Sequence, residues 1–190
     1  MKLIAISGGI GSGKSVVAGI VQVMGHPVYD CDSRAKALMN TDDELRKQLV
    51  EAFGQDTYLP DGRLNREHLS KVAFGDNDAL SRLNAIVHPA TIKDIRRWTA
   101  EQASNGAKVA FIETAILRTS KLDNVVDDVW HVTAPAEVRI NRVMTRSGMT
   151  AEQVQDRIAA QQAEDLVDDS EKVIINDGLT AILPQVMQLI

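Results

Sequence analysis

Short apolar runs and stretches of helical periodicity follow one another in a definite order from the start of the chain. Leu3-Ile4-Ala5-Ile6 is a continuous apolar run closed by Gly8-Gly9, the pattern of a strand buried on both faces of a parallel sheet. From Lys14 onward, Val16, Val17, Ile20, Val21 and Met24 recur at helical spacing, with Gly25 as a stop. Pro27-Val28-Tyr29-Asp30 reads as a second short strand that ends in a carboxylate. Strand, loop, helix and strand in succession predict a parallel sheet with a right-handed crossover.

Residues 32–107 carry a different pattern. Leu38, Leu45, Leu49, Phe53, Leu69, Val72, Phe74, Leu80, Leu83, Ile86, Val87, Ile92 and Ile95 recur at helical spacings without a strand-like run. Turn signals break the stretch at Pro60-Asp61-Gly62, Gly75-Asp76-Asn77 and His88-Pro89. The segment therefore reads as a helical insertion between two strands. The sheet resumes at Lys108 to Glu113 and again at Asp128 to Thr133. Pro135 stands where a helix begins, Gly148 interrupts it, and Thr150 is the N-cap of the next helix. Val173-Ile174-Ile175 is a last strand, Asn176-Asp177-Gly178 a turn, and an amphipathic helix ends the chain.

Composition narrows the function classes. An apolar content of 44% in 190 residues suffices for a folded core. The net charge of −5 gives no global attraction to nucleic acid or to an anionic membrane, so any polyanion must meet a local cluster of positive groups. One cysteine, Cys31, excludes an internal disulfide and suits a reducing compartment. No leader or membrane span is expected, which leaves a soluble cytoplasmic protein, monomeric or a small homo-oligomer, with a small-molecule substrate.

Gly8-Gly9-Ile10-Gly11-Ser12-Gly13-Lys14-Ser15 fits G-x-x-x-x-G-K-[ST] without a mismatch and falls between a strand and a helix. Glycines let backbone N–H groups converge on phosphates, and the helix behind them presents its positive end. Gly11, Ser12, Gly13, Lys14, Ser15 and Val16 are thus the expected binders of nucleotide phosphates. Lys14 would reach the β- and γ-phosphates and the Ser15 hydroxyl would ligate Mg²⁺, with Glu113 beside it directly or through water. Asp30 and Asp32 are the candidate bases if the second strand continues that far, and turn or cap residues otherwise. Arg139, Arg142 and Arg146 share one helical face, either a lid over the γ-phosphate or a solvated face. The run Glu164, Asp165, Asp168, Asp169, Glu171 reads as a solvated helix, and the histidines lack ligand spacing.

Taken together, the phosphate loop, Val28-Tyr29-Asp30-Cys31-Asp32, His88-Pro89, Arg142 with Arg146, Arg157 with Gln161, and Asn176-Asp177-Gly178 resemble the ordered signatures of the dephospho-coenzyme A kinase family. The resemblance implies an α/β P-loop kinase of three layers: a parallel sheet, a helical acceptor-binding insertion and a helical lid. The nucleotide-binding core would comprise residues 1–31, 108–134 and 172–190, the insertion 32–107, and the lid region 135–171. It implies transfer of the γ-phosphate of ATP to the ribose 3′-hydroxyl of dephospho-coenzyme A, the last step of coenzyme A biosynthesis. Asp32 would be the base, Lys14 and Arg146 would act on the transferring phosphate, and Arg142, Asn176 and Gly178 would help to hold ATP. Asp32, His88 and Arg157 would meet the acceptor. Glu113 and Thr119 depart from the usual aspartate and glutamate of the third-strand motif, and Ser147 from the usual aspartate after Arg146. The competing readings are a nucleoside or nucleoside-monophosphate kinase and a GTP-dependent switch; the latter lacks its Asn-Lys-x-Asp motif, since Asn176-Asp177-Gly178-Leu179 has no lysine.

Overall fold

A computed structural model describes residues 1–74 and 76–190. Gly75, part of one expected turn, lies outside the described residues, as does the side chain of Phe74, counted above among the apolar positions. The chain divides into two compact units, Met1–Asp30 with Thr99–Ile190, and Cys31–Trp98.

The first unit is built on five parallel strands: β1 Lys2–Ser7, β2 Val28–Asp30, β3 Val109–Glu113, β4 Asp128–Thr133 and β5 Lys172–Ile175. They lie in the order β2-β3-β1-β4-β5. The chain leaves β1 towards one edge and later crosses from β3 to β4 on its other side. The carboxyl end of β1 is therefore a topological switch point, the place where open α/β sheets take their ligands. Helix α1, Lys14–Val23, buries Val17, Ala18 and Val21 against Ile4, Ile6, Phe111, Trp130, Val132 and Ile174. Val186 of the last helix, Ile182–Leu189, joins the same core. Trp130 is fully buried and meets Phe111 edge-on, with ring centroids 5.0 Å apart.

Between β4 and β5, Pro135 precedes a helix Ala136–Ser147 that ends at Gly148 in the left-handed conformation. Thr150 then starts a helix Ala151–Ala160, with a reciprocal capping box to Gln153. Both ends were legible from their cap residues.

The second unit is helical, as its pattern predicts: α2 Cys31–Thr41, α3 Asp43–Phe53, α4 Arg66–Phe74 and α5, which begins at Asn77 and extends to Ser104. Its core gathers Leu38, Leu45, Leu49, Phe53, Leu64, Leu69, Ala79 and Val87. The later helices take the labels α6 for Ala136–Ser147, α7 for Ala151–Ala160 and α8 for Ile182–Leu189.

Two expectations are corrected here. His88-Pro89 is not a break, because α5 runs through it. Proline removes one N–H and disturbs one turn, but Leu83, Ile86, Val87 and Ala90 on the flanking turns all pack into the unit's core and keep the helix continuous. Second, β2 stops at Asp30, and Asp32 lies in the first turn of α2. Strand alternation therefore does not align Asp30 with Asp32.

Candidate active site

The loop between β1 and α1 closes on itself through the Ser12 N–H donating to the Gly9 carbonyl, 3.2 Å. Gly13 stands at the N-cap of α1 with φ 95° and no side chain capping the helix. The N-terminal end of the helix thus presents its partial positive charge with no side chain capping it and no acidic residue in its first turn. A side chain at Gly13 would run into the Asn176 amide, and one at Gly8, φ 138°, into the Val132 carbonyl. Lys14 folds over the loop, its Nζ donating to the carbonyls of Gly8 (2.8 Å) and Gly9 (3.2 Å). Ser12 is buried, and its Oγ has no hydrogen-bond partner among the described residues. Ser15 and Val16 are exposed on the first turn of α1.

Side chains from α6 and from the residue after β5 brace this loop. Arg142 on α6 donates through Nη1 to the Asn176 carbonyl (3.0 Å) and, at 3.4 Å, to those of Gly11 and Ser12; its Nη2 donates to Asn176 Oδ1 at 3.0 Å. Asn176, buried just past β5, donates its amide to the Ser12 carbonyl at 2.8 Å. Gly178, two residues on, is exposed with open space where a side chain would stand. Arg142 and Asn176 are thus brought to the phosphate loop. Arg146 and Arg157 are exposed and make no hydrogen bond or ion pair among the described residues.

Arg139, expected only as one of three arginines on a lid or solvated face, is neither exposed nor free. It is buried on α6, donating Nε to the Ile10 carbonyl and Nη1 to Asp165 Oδ2, both at 2.8 Å. The Ile10 N–H donates to Gln161 Oε1, also at 2.8 Å. The acidic run is not a solvated helix, and that expectation is corrected. Buried Glu164 accepts from the N–H groups of Arg118 (3.1 Å) and Thr119 (2.9 Å) and from the Thr119 hydroxyl (2.7 Å). Glu171 accepts from Arg118 Nη2 at 2.7 Å. A charge run gives no sign of this, because its partners lie some 25 to 55 positions away in sequence.

Glu113 ends β3 in register with Ile6 and Asp30, so Glu113 and Asp30 stand on neighbouring strands, about 4.8 Å apart, on the same side of the sheet. Among the described residues no three His, Cys, Asp or Glu side chains group as a metal cage. In the helical unit, Asp32 is exposed and His88 is half-buried, with burial pushing its imidazole below the ordinary histidine range.

His131, in register with Ser7, is buried with Nδ1 3.7 Å from Glu171 Oε2. Burial lowers its pKa, against the opposing pull of Glu171 and Asp165 and with small help from Arg118 and Lys14. The folded state thus favours neutral imidazole, and the unfolded chain binds the extra proton first as pH falls through the unperturbed value of about 6.5. Stability contributed by neutral His131 is present above that value and lost below it. Between pH 7.5 and 5.5 the unfolding midpoint is expected to drop less in His131→Gln than in wild type. Equal drops would mean that His131 does not carry the dependence.

Comparison with known proteins agrees with this geometry. A family model described as dephospho-CoA kinase matches residues 2–181. The chain is 38% identical over 192 positions to a dephospho-CoA kinase of Porphyromonas gingivalis, covering all of this chain and 93% of that one. It is 36% identical over 188 residues to one from Bacteroides fragilis, covering 98% and 90%. A solved dephospho-CoA kinase from Campylobacter jejuni shares the fold with a TM-score of 0.71 at 19% identity, over 100% of this chain and 96% of that one. A phosphate loop at the switch point of a parallel sheet, braced from α6 and β5, and a match along nearly the whole chain together place this protein in the dephospho-CoA kinase family.

Proposed function

We propose that this chain transfers the γ-phosphoryl group of ATP to the ribose 3′-hydroxyl of dephospho-coenzyme A in a single in-line step. Membership of the family makes it a phosphotransferase acting with ATP on dephospho-CoA. The observation that carries the proposal is the loop Gly8–Ser15, glycine-shaped and followed by an uncapped helix with a lysine at its first position. Backbone N–H groups and the Lys14 ammonium neutralise phosphate charge as it redistributes, which is most of what phosphoryl transfer asks of a protein.

Asp32 accepts the proton of the attacking hydroxyl. Arg146 and Arg157, exposed and uncommitted among the described residues, meet the γ-phosphate and the acceptor respectively. His88, held neutral by burial, serves as a hydrogen-bonding partner for the acceptor rather than as a charge. Gly178, exposed beyond β5, leaves room for the adenine end of ATP.

The residues fit Mg²⁺ held mainly by the nucleotide. Magnesium ordinarily keeps several waters and binds phosphates with only one or two protein oxygens; the exposed Ser15 hydroxyl would supply one, and Glu113 at the end of β3 would act through water. When bound, Mg²⁺ neutralises the charge that builds between the β- and γ-phosphates.

No helix among the described residues is long and apolar enough to cross a membrane. A cytoplasmic location accords with ATP chemistry and with the single buried thiol of Cys31.

Release of ADP from Mg·ATP tests the acceptor. Dephospho-CoA is expected to stimulate it strongly, and adenosine and AMP are not. Stimulation by AMP or adenosine alone would replace the reading with that of a nucleoside or nucleotide kinase.

A further inference from the structure

Ile10 is an apolar residue at the apex of the phosphate loop, yet both of its backbone polar groups are taken by side chains from the segment between β4 and β5. Its carbonyl accepts from Arg139 Nε and its N–H donates to Gln161 Oε1, each at 2.8 Å. Arg139 is in turn fixed by Asp165 at 2.8 Å. We propose that Arg139, Gln161 and Asp165 form a clamp that holds the two peptide planes around Ile10 in the shape that receives phosphate, making them positioning residues for ATP. The inference rests on the reading of Gly8–Ser15 as the site of ATP's phosphates.

The physics is that of a planar peptide. Its C=O and N–H point in opposite directions, so fixing one group aims the other. Holding the Ile10 carbonyl on Arg139 turns the Gly11 N–H to the opposite side of the same plane. Holding the Ile10 N–H on Gln161 turns the Gly9 carbonyl away from Gln161, where it accepts from Ser12 N–H and Lys14 Nζ, each at 3.2 Å. Gly11 has φ 78° and resists such rotation poorly. A rotated Ile10–Gly11 peptide would replace a donor with a carbonyl dipole that repels the anion.

Gly9 supplies an independent observation. Its backbone lies outside the left-handed region, so conformation does not require glycine there. Space does: a side chain at Gly9 would run into the Arg139 guanidinium and the Asp165 carboxylate. The guanidinium lies over Gly9 with its Nη2 buried and without a hydrogen-bond partner among the described residues. Gly9 is glycine because the clamp occupies the place of its side chain.

Titration calorimetry with Mg·ADP reads phosphate binding without turnover, and steady-state kinetics on the same proteins separates KM from kcat. Arg139→Gln and Gly9→Ala are each expected to weaken ADP binding and raise KM for ATP by roughly tenfold, the worth of a charge-assisted hydrogen bond. Loss in kcat should be far smaller, and KM for dephospho-CoA should stay within about twofold. Arg139→Lys should bind ADP as poorly as Arg139→Gln, since one ammonium does not span Ile10 and Asp165 as the fork does. Gly9→Ala with Arg139→Gln should be no worse than the weaker single variant, because both break the same clamp. Should Arg139→Gln melt early, Gln161→Ala, which removes one bond at the end of α7, carries the test with an expected loss of about threefold.

Wild-type ADP affinity in a folded Arg139→Gln or Gln161→Ala overturns the clamp. Full rescue by lysine overturns it in favour of a simple charge effect, and additive losses in the double variant overturn the role assigned to Gly9. A wild-type protein that does not bind ADP overturns the phosphate-loop reading itself.

Discussion

Lys14→Ala is expected to lower kcat for dephospho-CoA phosphorylation by about 10³-fold or more while leaving the unfolding midpoint within a few degrees of wild type. Lys14 is the side chain of the loop that can bring a full positive charge to the β- and γ-phosphates, and alanine leaves only the partial charges of the N–H groups. Its ammonium rests on the Gly8 and Gly9 carbonyls, both on the loop itself. Removing those contacts costs about 1 kcal/mol in stability. The lost interaction belongs mainly to the transition state, so kcat should fall more than KM for ATP rises. Turnover near the wild-type rate in this variant would refute the role given to the loop.

Asp32→Asn is the second large effect, an expected loss of roughly 10²- to 10⁴-fold in kcat with KM for dephospho-CoA within about threefold. Asparagine keeps the shape of aspartate and one acceptor oxygen but does not accept the proton. Asp32 is exposed in the first turn of α2, so the substitution costs the fold at most the helix-dipole contribution, about 0.3–1 kcal/mol. Asp30→Asn is the control. Asp30 ends β2 in register with Glu113, and because proton transfer is assigned to Asp32, substitution of Asp30 is expected to lower kcat far less. Equal losses in kcat and in acceptor affinity for Asp32→Asn would make it a binding residue.

The parts of this molecule that were legible in its sequence are those whose cause is local. A glycine-rich loop between an apolar run and a helical repeat announces itself because the residues of its motif lie within eight positions. The ends of β3 and β4, the Gly148 stop and the Thr150 cap are likewise set by neighbours in sequence. What escaped depends on partners far along the chain. The periodicity that placed Arg139, Arg142 and Arg146 on one helical face does not reveal that the first is buried over Ile10 and the last exposed. Glu164 reads as one more solvated acid until Arg118 and Thr119, some 45 residues earlier, are brought against it. Pro89 looked like a stop because the packing of Leu83, Ile86, Val87 and Ala90 around it is a property of the assembled core.

Central to the account is the identity of the bond made. The most direct test follows one equivalent of dephospho-CoA with Mg·ATP by mass spectrometry, with phosphorus NMR to locate the new phosphate. The account predicts coenzyme A carrying a 3′-phosphomonoester, formed in step with one ADP and not detectable with Lys14→Ala over the time in which the wild type completes the reaction. ADP without a phosphorylated acceptor, or phosphate on another hydroxyl, would contradict it.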